Sequence, residues 1–261
     1  MACHCHFNLQ ILRTMRQQIV GSSDTKDVYL CGGSLIHPRV VLTVAHKVVD
    51  SELTNLILRA GEWDTETTKE LYPHQNREAS EVVVHEDFNP INAHYDIALV
   101  FVAKAFKMAP NVGVICLPPP NVRADAGAKC ITSGWGKNRF GKQGKYQNIL
   151  KKVEVPVVAR SKCQDVLRNT RLGRRFKLHE SFMCAGGEPG VDTCTGDGGS
   201  PLVCPVNNSD RYVQNGIVAW GIGCGEEEIP GVYADVAHLR SWIDEKLQGK
   251  GFDSVEYTWK N

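Results

Sequence analysis

Three separated segments carry residue types that together can activate a hydroxyl group for attack on a carbonyl carbon. His46 follows a strongly apolar run, and Asp96 directly precedes another. The third segment, residues 194–204, reads Cys-Thr-Gly-Asp-Gly-Gly-Ser-Pro-Leu-Val-Cys and contains Ser200. A histidine that accepts the hydroxyl proton, oriented by a buried carboxylate, turns a serine into a nucleophile. The expected chemistry is attack on a peptide carbonyl, provided that a hydroxyl lies beside the histidine.

Short apolar runs between glycine, proline and asparagine predict a chain made mostly of β-strands. The runs that predict strands are Val40–Val44, Leu56–Ala60, Glu81–Val84, Ile97–Val102 and Val213–Trp220. Their spacing predicts an all-β fold, either a sandwich or a barrel.

Two helices are predicted near the middle and the end of the chain. The first covers Arg160–Thr170, with Ser161 as its cap. The second covers Val236–Gln248, where apolar side chains recur at helical spacing. The segment after Gly249 is polar and is predicted to be loose.

Motifs in one order along the chain resemble the chymotrypsin-like serine protease family over about residues 28–247. They are Cys31–Ile36, Val41–His46, Asp96–Leu99, Ser133–Gly136, the 194–204 segment, Trp220-Gly221 and Pro230–Tyr233. The order of histidine, aspartate and nucleophile position also agrees with that family. The resemblance implies two six-stranded antiparallel β-barrels with the active site between them, followed by the C-terminal helix. Residues 1–27 are then a remnant N-terminal segment, and residues 248–261 a polar tail.

The resemblance implies that His46 is the base, Asp96 the carboxylate that orients it, and Gly198 the position of a lost nucleophile. The family's loop reads Gly-Asp-Ser-Gly-Gly-Pro, whereas this chain has Gly198 directly after the aspartate. Ser200 lies two residues further, about 6 Å along an extended chain. Because attack needs reacting atoms about 3–3.5 Å apart, Ser200 is expected to pack beside Pro201 instead. The chain is therefore predicted not to be an enzyme.

Other parts of a trypsin-like site are retained in the sequence. By resemblance, Gly196 and Gly198 present the backbone N–H groups of an oxyanion hole. Asp192 matches the aspartate that binds Arg or Lys side chains in the substrate pocket, and Gly221 and Gly231 match the glycines that leave the pocket open. The chain is thus expected to bind a basic side chain without cleaving after it. The alternative is an aspartate retained for the fold beside a closed pocket.

The activation switch of the family is predicted to be absent. There, a freed Ile-Val-type N-terminus pairs with the aspartate before the nucleophile, here Asp197. Ile19–Gly21 is a poor match, because Gln18 precedes it and it lies too close to Cys31. The stretch from residue 9 to residue 12 is the better match to the family's N-terminal strand. Asp197 is therefore expected to lack its usual partner.

The ten cysteines fit a disulfide framework that the resemblance implies. The implied pairs are Cys130–Cys204, Cys163–Cys184 and Cys194–Cys224. Cys31 is expected to be unpaired, because its usual partner position is Lys47. Cys116 matches the cysteine that tethers an N-terminal segment; Cys3 and Cys5 are open as partners, since sequence cannot assign connectivity. Cys3-His4-Cys5-His6 lacks the spacing of structural zinc sites, so no metal is predicted there.

A narrower set of motifs is similar to the non-catalytic clip-domain serine protease homologues of arthropods. These motifs are Gly61–Thr65, Tyr72–Gln75, Arg171–Glu180 and the Gly-Asp-Gly-Gly-Ser-Pro loop. That resemblance implies a secreted regulatory cofactor in innate immunity, specifically in prophenoloxidase activation and melanisation. The implied partners are clip-domain serine proteases, prophenoloxidase or both. The clip domain itself is not recognised in this sequence.

Composition limits the other classes of function. Lys plus Arg number 30 against 29 for Asp plus Glu, so the net charge of +1 indicates neither a nucleic-acid nor a membrane partner. No apolar window of about 18 residues predicts a transmembrane helix. Disulfides indicate secretion, and the resemblance to the arthropod homologues implies the haemolymph as the compartment. Residues 1–20 nevertheless lack a signal-peptide pattern. We therefore expect an internal piece of a longer secreted protein.

Weaker signals concern metals, docking and glycosylation. Glu62, Asp64 and Glu70 lie where trypsin-like proteins bind calcium; we expect solvated acids, with calcium as the alternative, and predict no cofactor. Asn207-Asn208-Ser209 is a glycosylation sequon. A basic run that begins inside the first predicted helix and continues beyond it is either a docking surface or a solvated face. Its members are Arg168, Arg171, Arg174, Arg175 and Lys177.

Two alternatives to a regulatory module are left open. One is a weak trypsin-like endopeptidase that cleaves after Arg or Lys, with Ser200 or another residue as its nucleophile. The other is a fragment that does not fold stably alone. Cleavage of an arginyl chromogenic peptide, blocked by an organophosphate, would establish the first.

Overall fold

A computed structural model describes residues 11–20, 24–67, 69–137, 143–188, 197–206, 211–223 and 228–259. Within them the strands form two closed antiparallel barrels of six strands each. Few residues are helical, and the all-β fold with two barrels is confirmed. No helix among the described residues is long and apolar enough to span a membrane.

The first barrel is built from the first six strands. Their bounds are β1 Ile11–Val20, β2 Asp24–His37, β3 Val40–Thr43, β4 Leu56–Ala60, β5 Gln75–Val84 and β6 Ala98–Val102. The strand order is β1-β2-β3-β6-β5-β4, closed by pairing of β1 with β4. Leu12 of β1 packs with Leu35 and Leu58 inside the barrel. The boundary predicted at residue 28 therefore falls inside β2, and the segment before it supplies a barrel strand.

The second barrel has the same closed form. Its strands are β7 Lys129–Gly134, β8 Lys151–Val158, β9 Phe182–Ala185, β10 Pro201–Pro205, β11 Tyr212–Trp220 and β12 Gly231–Asp235. Their order is β10-β11-β12-β9-β8-β7. Val155, Leu202 and Tyr233 are buried together in its interior.

The helices lie at the edges of the barrels. Their bounds are α1 Ala45–Val48, α2 Arg160–Arg168 and α3 Val236–Gln248, with 3₁₀ turns at Leu53–Asn55 and Ser254–Glu256. The bounds of α3 are those predicted, and Asp235 caps it by accepting a hydrogen bond from the His238 N–H at 3.0 Å. α2 ends two residues before its predicted end. Its N-cap is Ala159, which makes no side-chain hydrogen bond, so the prediction of Ser161 as cap was wrong.

One apolar core joins the two barrels and α3. Leu99 of the first barrel, Ile217 of the second and Ile243 of α3 belong to the same buried cluster. The segment after α3 packs back onto this core: Tyr257 is fully buried, and its carbonyl accepts a hydrogen bond from the Leu117 N–H at 2.8 Å. The prediction of a loose tail was therefore wrong for the described residues up to 259.

Two of the expected disulfides are present. Cys130–Cys204 joins β7 to β10, and Cys163–Cys184 joins α2 to β9. Cys116 is also disulfide-bonded, whereas Cys31 is free and buried. Burial raises the pKa of the Cys31 thiol, so it stays protonated and unreactive. The pair Cys194–Cys224 lies outside the described residues.

A charged contact holds α3 against the first barrel and predicts an acid-sensitive interaction. Glu86 accepts a hydrogen bond from Trp242 Nε1 at 2.7 Å and pairs with Lys246 at 2.5 Å. The bond from Lys246 lowers the pKa of Glu86 to about 2. Since the folded pKa lies below the ordinary value of 4.5, the stabilisation is present above that value and lost as the pH falls towards 2.

Glu86→Gln is expected to cost about 0.5 kcal/mol of the free energy of unfolding at pH 7, because the exposed carboxylate is screened by solvent. The difference from the unaltered chain should disappear near pH 2. Urea unfolding at both pH values measures it. An equal difference in the free energy of unfolding at pH 7 and near pH 2 would contradict an electrostatic origin of the stabilisation by Glu86.

Candidate functional site

His46 and Asp96 meet because the strands before and after them are neighbours in the first barrel. β3 pairs with β6, with Thr43 opposite Ala98, so the end of β3 and the start of β6 lie side by side. Asp96 is fully buried. Its Oδ1 accepts a hydrogen bond from the His46 backbone N–H at 2.9 Å, and its Oδ2 lies 2.6 Å from His46 Nδ1. A carboxylate only accepts hydrogen bonds, so Nδ1 carries the proton and Nε2 lies on the other side of the ring.

Gly198 comes from the second barrel and lies on the Nε2 side of His46. A Cβ built on Gly198 would be 3.8 Å from His46 Nε2 and 3.7 Å from Lys47 Cε. The turn is fixed to the first barrel, because the Gly32 N–H donates to the Gly198 carbonyl at 2.8 Å. The histidine, the aspartate and Gly198 thus come together as the sequence predicted, and no hydroxyl belongs to the residue beside the histidine. We call the space over Gly198, bounded by His46 and Lys47, the vacant slot.

Ser200 is directed away from His46 into the contact between the barrels. The residue is fully buried, and its Oγ has no hydrogen-bond partner among the described residues. A Cβ built on Gly32 would lie 2.2 Å from this Oγ, and one built on Gly134 would lie 3.3 Å from it. These contacts place the Ser200 hydroxyl between Gly32 and Gly134, against the first barrel. The geometry favours a packing role for Ser200.

Gly32→Ala is expected to destabilise the contact between the barrels by about 2–3 kcal/mol, as overpacking of a buried site does. Its Cβ would meet Ser200 Oγ at 2.2 Å and the Ser200 backbone N at 2.9 Å. Adding Ser200→Ala should restore only part of the loss, because the backbone contact stays. Chemical unfolding measures both variants.

The matched control is Gly221→Ala, whose Cβ would contact, among the described residues, only the Gly223 carbonyl oxygen, at 3.8 Å. It should change the free energy of unfolding by less than about 0.5 kcal/mol. Equal losses for Gly32→Ala and Gly221→Ala would show that the packing at Gly32 is not close.

Asp197 is held against the segment that follows β7. Its Oδ1 accepts a hydrogen bond from the Gly136 N–H at 2.8 Å. Ile19 and Val20 lie at the far end of β1, paired with Thr25 and Asp24, and therefore form part of a hairpin. This placement agrees with the prediction that Ile19 is not the N-terminus that activation cleavage frees in the family.

Lys47 is a site residue that stands out in the sequence only because it replaces the cysteine expected after the base. It follows His46 in α1 and is half-buried, with its Cε beside the vacant slot. No carboxylate among the described residues forms an ion pair with its ammonium group. The only signal in the sequence was a lysine directly after the base.

The predicted substrate pocket is described only in part. Asp192 and Gly196 lie outside the described residues. Gly221 follows β11, and a Cβ there would be in ordinary contact at most. Gly231 begins β12 opposite Ala185. The pocket function of Asp192, Gly221 and Gly231 stays a prediction.

An aromatic cluster and the basic run lie next to these residues. Trp220, directly before Gly221, packs edge-to-face with Phe176 and Phe182. The rings of His94 and His179 stack with centroids 3.8 Å apart. Burial lowers the pKa of His94, and the neighbouring His179 lowers it further. The stacked pair is therefore neutral at pH 7.

Most of the basic run is exposed on the loop between α2 and β9. Arg168 is the exception, because it pairs with Asp165 at 3.3 Å and donates to the Phe176 carbonyl at 2.9 Å. The other four are exposed, and none forms an ion pair within the part of the chain that is described. They are Arg171, Arg174, Arg175 and Lys177. Through Phe176 this loop contacts Trp220, so its charge lies near the predicted pocket.

The expected calcium loop contains a cluster that differs from the predicted one. Glu62, Glu70 and His74 place one ligand atom each within 4.8 Å of one another, and Asp64 is not among them. Glu62 is buried, and its Oε1 has no hydrogen-bond partner in the described structure. Its Oε2 lies 3.0 Å from the Arg59 guanidinium. The expectation of solvated acids fails for Glu62, because its side chain is buried and its Oε1 has no hydrogen-bond partner among the described residues. Such an oxygen fits a cation, and calcium stays the untested alternative to the prediction of no cofactor.

Comparisons with known proteins agree with this geometry. The family model described as Trypsin matches residues 13–243. Phenoloxidase-activating factor 2 of Galleria mellonella is 64% identical over 89% of this chain and 77% of its own length. Two Anopheles gambiae proteins, both named inactive CLIP domain-containing serine protease, are 44% and 41% identical over 89% and 87% of this chain. The chain spans 59% and 61% of their lengths.

Proposed function

Since the chain belongs to the trypsin family, we propose that it is a secreted, non-catalytic member that regulates an innate-immune proteolytic cascade. Its role is that of a cofactor in prophenoloxidase activation and melanisation. Its partners are a clip-domain serine protease, prophenoloxidase or both. The observation that carries this proposal is the pairing of an oriented His46 with Gly198, which has no hydroxyl.

The relatives support the regulatory part of the proposal. The Galleria mellonella protein is named as a phenoloxidase-activating factor, and the Anopheles gambiae proteins are named inactive. A chain that is 64% identical to such a factor over 234 aligned residues and lacks the nucleophile is better suited to binding than to cleavage. The buried Ser200 hydroxyl argues against a weak endopeptidase that uses this residue. The disulfides Cys130–Cys204 and Cys163–Cys184 support secretion.

The basic loop supports a docking surface beside the cleft. Four exposed cations without ion-pair partners among the described residues create a positive surface, which increases the association rate with an acidic partner. Because Phe176 anchors this loop against Trp220, a partner bound there would also reach the cleft between the barrels.

The test is phenoloxidase activity in a reconstituted mixture of prophenoloxidase and its activating protease. Adding the chain should change the activity in proportion to dose. Replacing Arg171, Arg174 and Arg175 by Gln should shift the half-maximal dose about fivefold or more upward, because rim charges control association.

The matched control removes three charges elsewhere. Lys104, Lys107 and Lys151 are exposed and lie outside α2 and the basic loop; their triple Gln variant should keep the original dose dependence. If the chain leaves phenoloxidase activity unchanged at every dose, the proposed role is wrong.

A further inference from the structure

We propose that the vacant slot is a binding site for the carboxylate of a peptide chain. In a serine protease the reacting hydroxyl occupies this position. Here the position lies between the Lys47 side chain and the backbone N–H of Gly198. This goes beyond the proposed function and is independent of it, because the same site would serve any partner that presents a carboxylate.

The slot has room for one small group. A Cβ built on Gly198 would have ordinary van der Waals contacts only, at 3.7 Å to Lys47 Cε and 3.8 Å to His46 Cε1 and Nε2. Among the described residues, no nearer atom lies outside the turn itself. His46 and Lys47 therefore leave the position of a nucleophile side chain open.

The groups around the slot select a negative charge. The Lys47 ammonium is one bond beyond Cε and forms no ion pair with any described carboxylate. The Gly198 backbone N–H makes no hydrogen bond to any acceptor in the described residues, although most buried or half-buried backbone donors are paired. Charge-assisted hydrogen bonds from an ammonium and a backbone N–H to a carboxylate are among the stronger ones in proteins.

Nearby acids limit the charge that the slot accepts. Asp96 lies behind the His46 ring, with its charge directed at Nδ1, and Asp197 precedes Gly198 and faces Gly136. Because one carboxylate contacts His46 and the other directly precedes Gly198, a monoanion is favoured over a phosphate dianion. A peptide carboxylate, either the free C-terminus of a cleaved chain or an Asp or Glu side chain, has that charge. Its position between the two barrels suits a peptide lying in the cleft.

The test is isothermal titration calorimetry of the whole chain with matched peptides. Acetyl-Leu-Gly-Arg with a free C-terminal carboxylate should bind about tenfold or more tightly than its C-terminal amide. Lys47→Gln should reduce that ratio to less than about twofold, whereas Lys162→Gln, on the exposed face of α2, should keep it. Gly198→Ala, which fills the slot without a charge change, should weaken the acid form selectively.

A third peptide, with an internal Asp and an amidated C-terminus, identifies the source of the carboxylate. Binding as tight as that of the acid form would assign side-chain carboxylates to the site, and weak binding would assign the free C-terminus. Near-UV circular dichroism checks that each variant is folded.

Three results would overturn the proposal. The first is that the acid and amide peptides bind equally tightly or do not bind. The second is that a folded Lys47→Gln variant still prefers the acid peptide, and the third is that inorganic phosphate displaces the acid peptide at a concentration similar to that of the peptide. These results concern peptide binding alone, so they are distinguishable from a failure of the phenoloxidase assay.

Discussion

Gly198→Ser is expected to gain one organophosphate adduct under conditions in which the unaltered chain gains none. The Cβ at this position would lie 3.8 Å from His46 Nε2, so the hydroxyl one bond further on reaches hydrogen-bonding distance. Asp96 already orients the imidazole, with its Oδ2 2.6 Å from Nδ1. Loss of the nucleophile from such a triad costs about a millionfold in turnover. Intact-mass spectrometry after incubation measures the adduct directly.

Two further variants identify the reacting group. Gly198→Ala adds the same Cβ without a hydroxyl and should stay unlabelled. Ser200→Ala, combined with Gly198→Ser, should still be labelled, because the Ser200 hydroxyl is buried against Gly32. An adduct on the unaltered chain that disappears in Ser200→Ala would instead establish the weak endopeptidase.

Removing the disulfide Cys130–Cys204 is expected to be the more damaging of two disulfide deletions. It closes a separation of 74 residues, against 21 for Cys163–Cys184. In the chain-entropy model these separations correspond to about 4 and about 3 kcal/mol of the free energy of unfolding. All four cysteines are buried, so the separation that each disulfide closes decides the expected order. Guanidinium unfolding of the two double Cys→Ala variants measures the difference.

The control for this comparison is Cys31→Ala, which removes a buried thiol without removing a disulfide. It should lower the free energy of unfolding less than either double variant does, because it removes side-chain packing and the 3.6 Å contact between Cys31 Sγ and Thr43 Oγ1 but no disulfide. A reversed order of the two disulfides would contradict the chain-entropy explanation.

Elements with a strong local pattern were predicted well from the sequence. The apolar runs at Leu56–Ala60 and Val213–Trp220 lie in β4 and β11, and α3 has its predicted bounds. In α3 the apolar spacing and the Asp235 cap agree, so local and tertiary preferences coincide. His46, Asp96 and Gly198 come together as expected because β3, β6 and the 197–200 turn bring their ends to one place.

Features that depend on distant contacts were not predictable from local pattern. β1 contains Arg13, Arg16, Gln17 and Gln18, so it shows no continuous apolar run, and its strand is established by pairing with β2 and β4. The burial of Glu62 depends on Arg59 and His74. Lys47 and Gly198 are neighbours in the structure although they are 151 positions apart in the sequence. Local residue spacing cannot predict a contact over such a separation.

The claim that this chain acts by binding and not by cleavage is tested most directly by organophosphate treatment before the phenoloxidase assay. The chain is incubated with the reagent, gel-filtered to remove the excess, and added to prophenoloxidase and its activating protease. We predict the same dose dependence as for the untreated chain, because no nucleophile is present to be blocked. Loss of the effect after treatment, together with a mass increase of one adduct, would contradict the account and show that the chain acts as a serine enzyme.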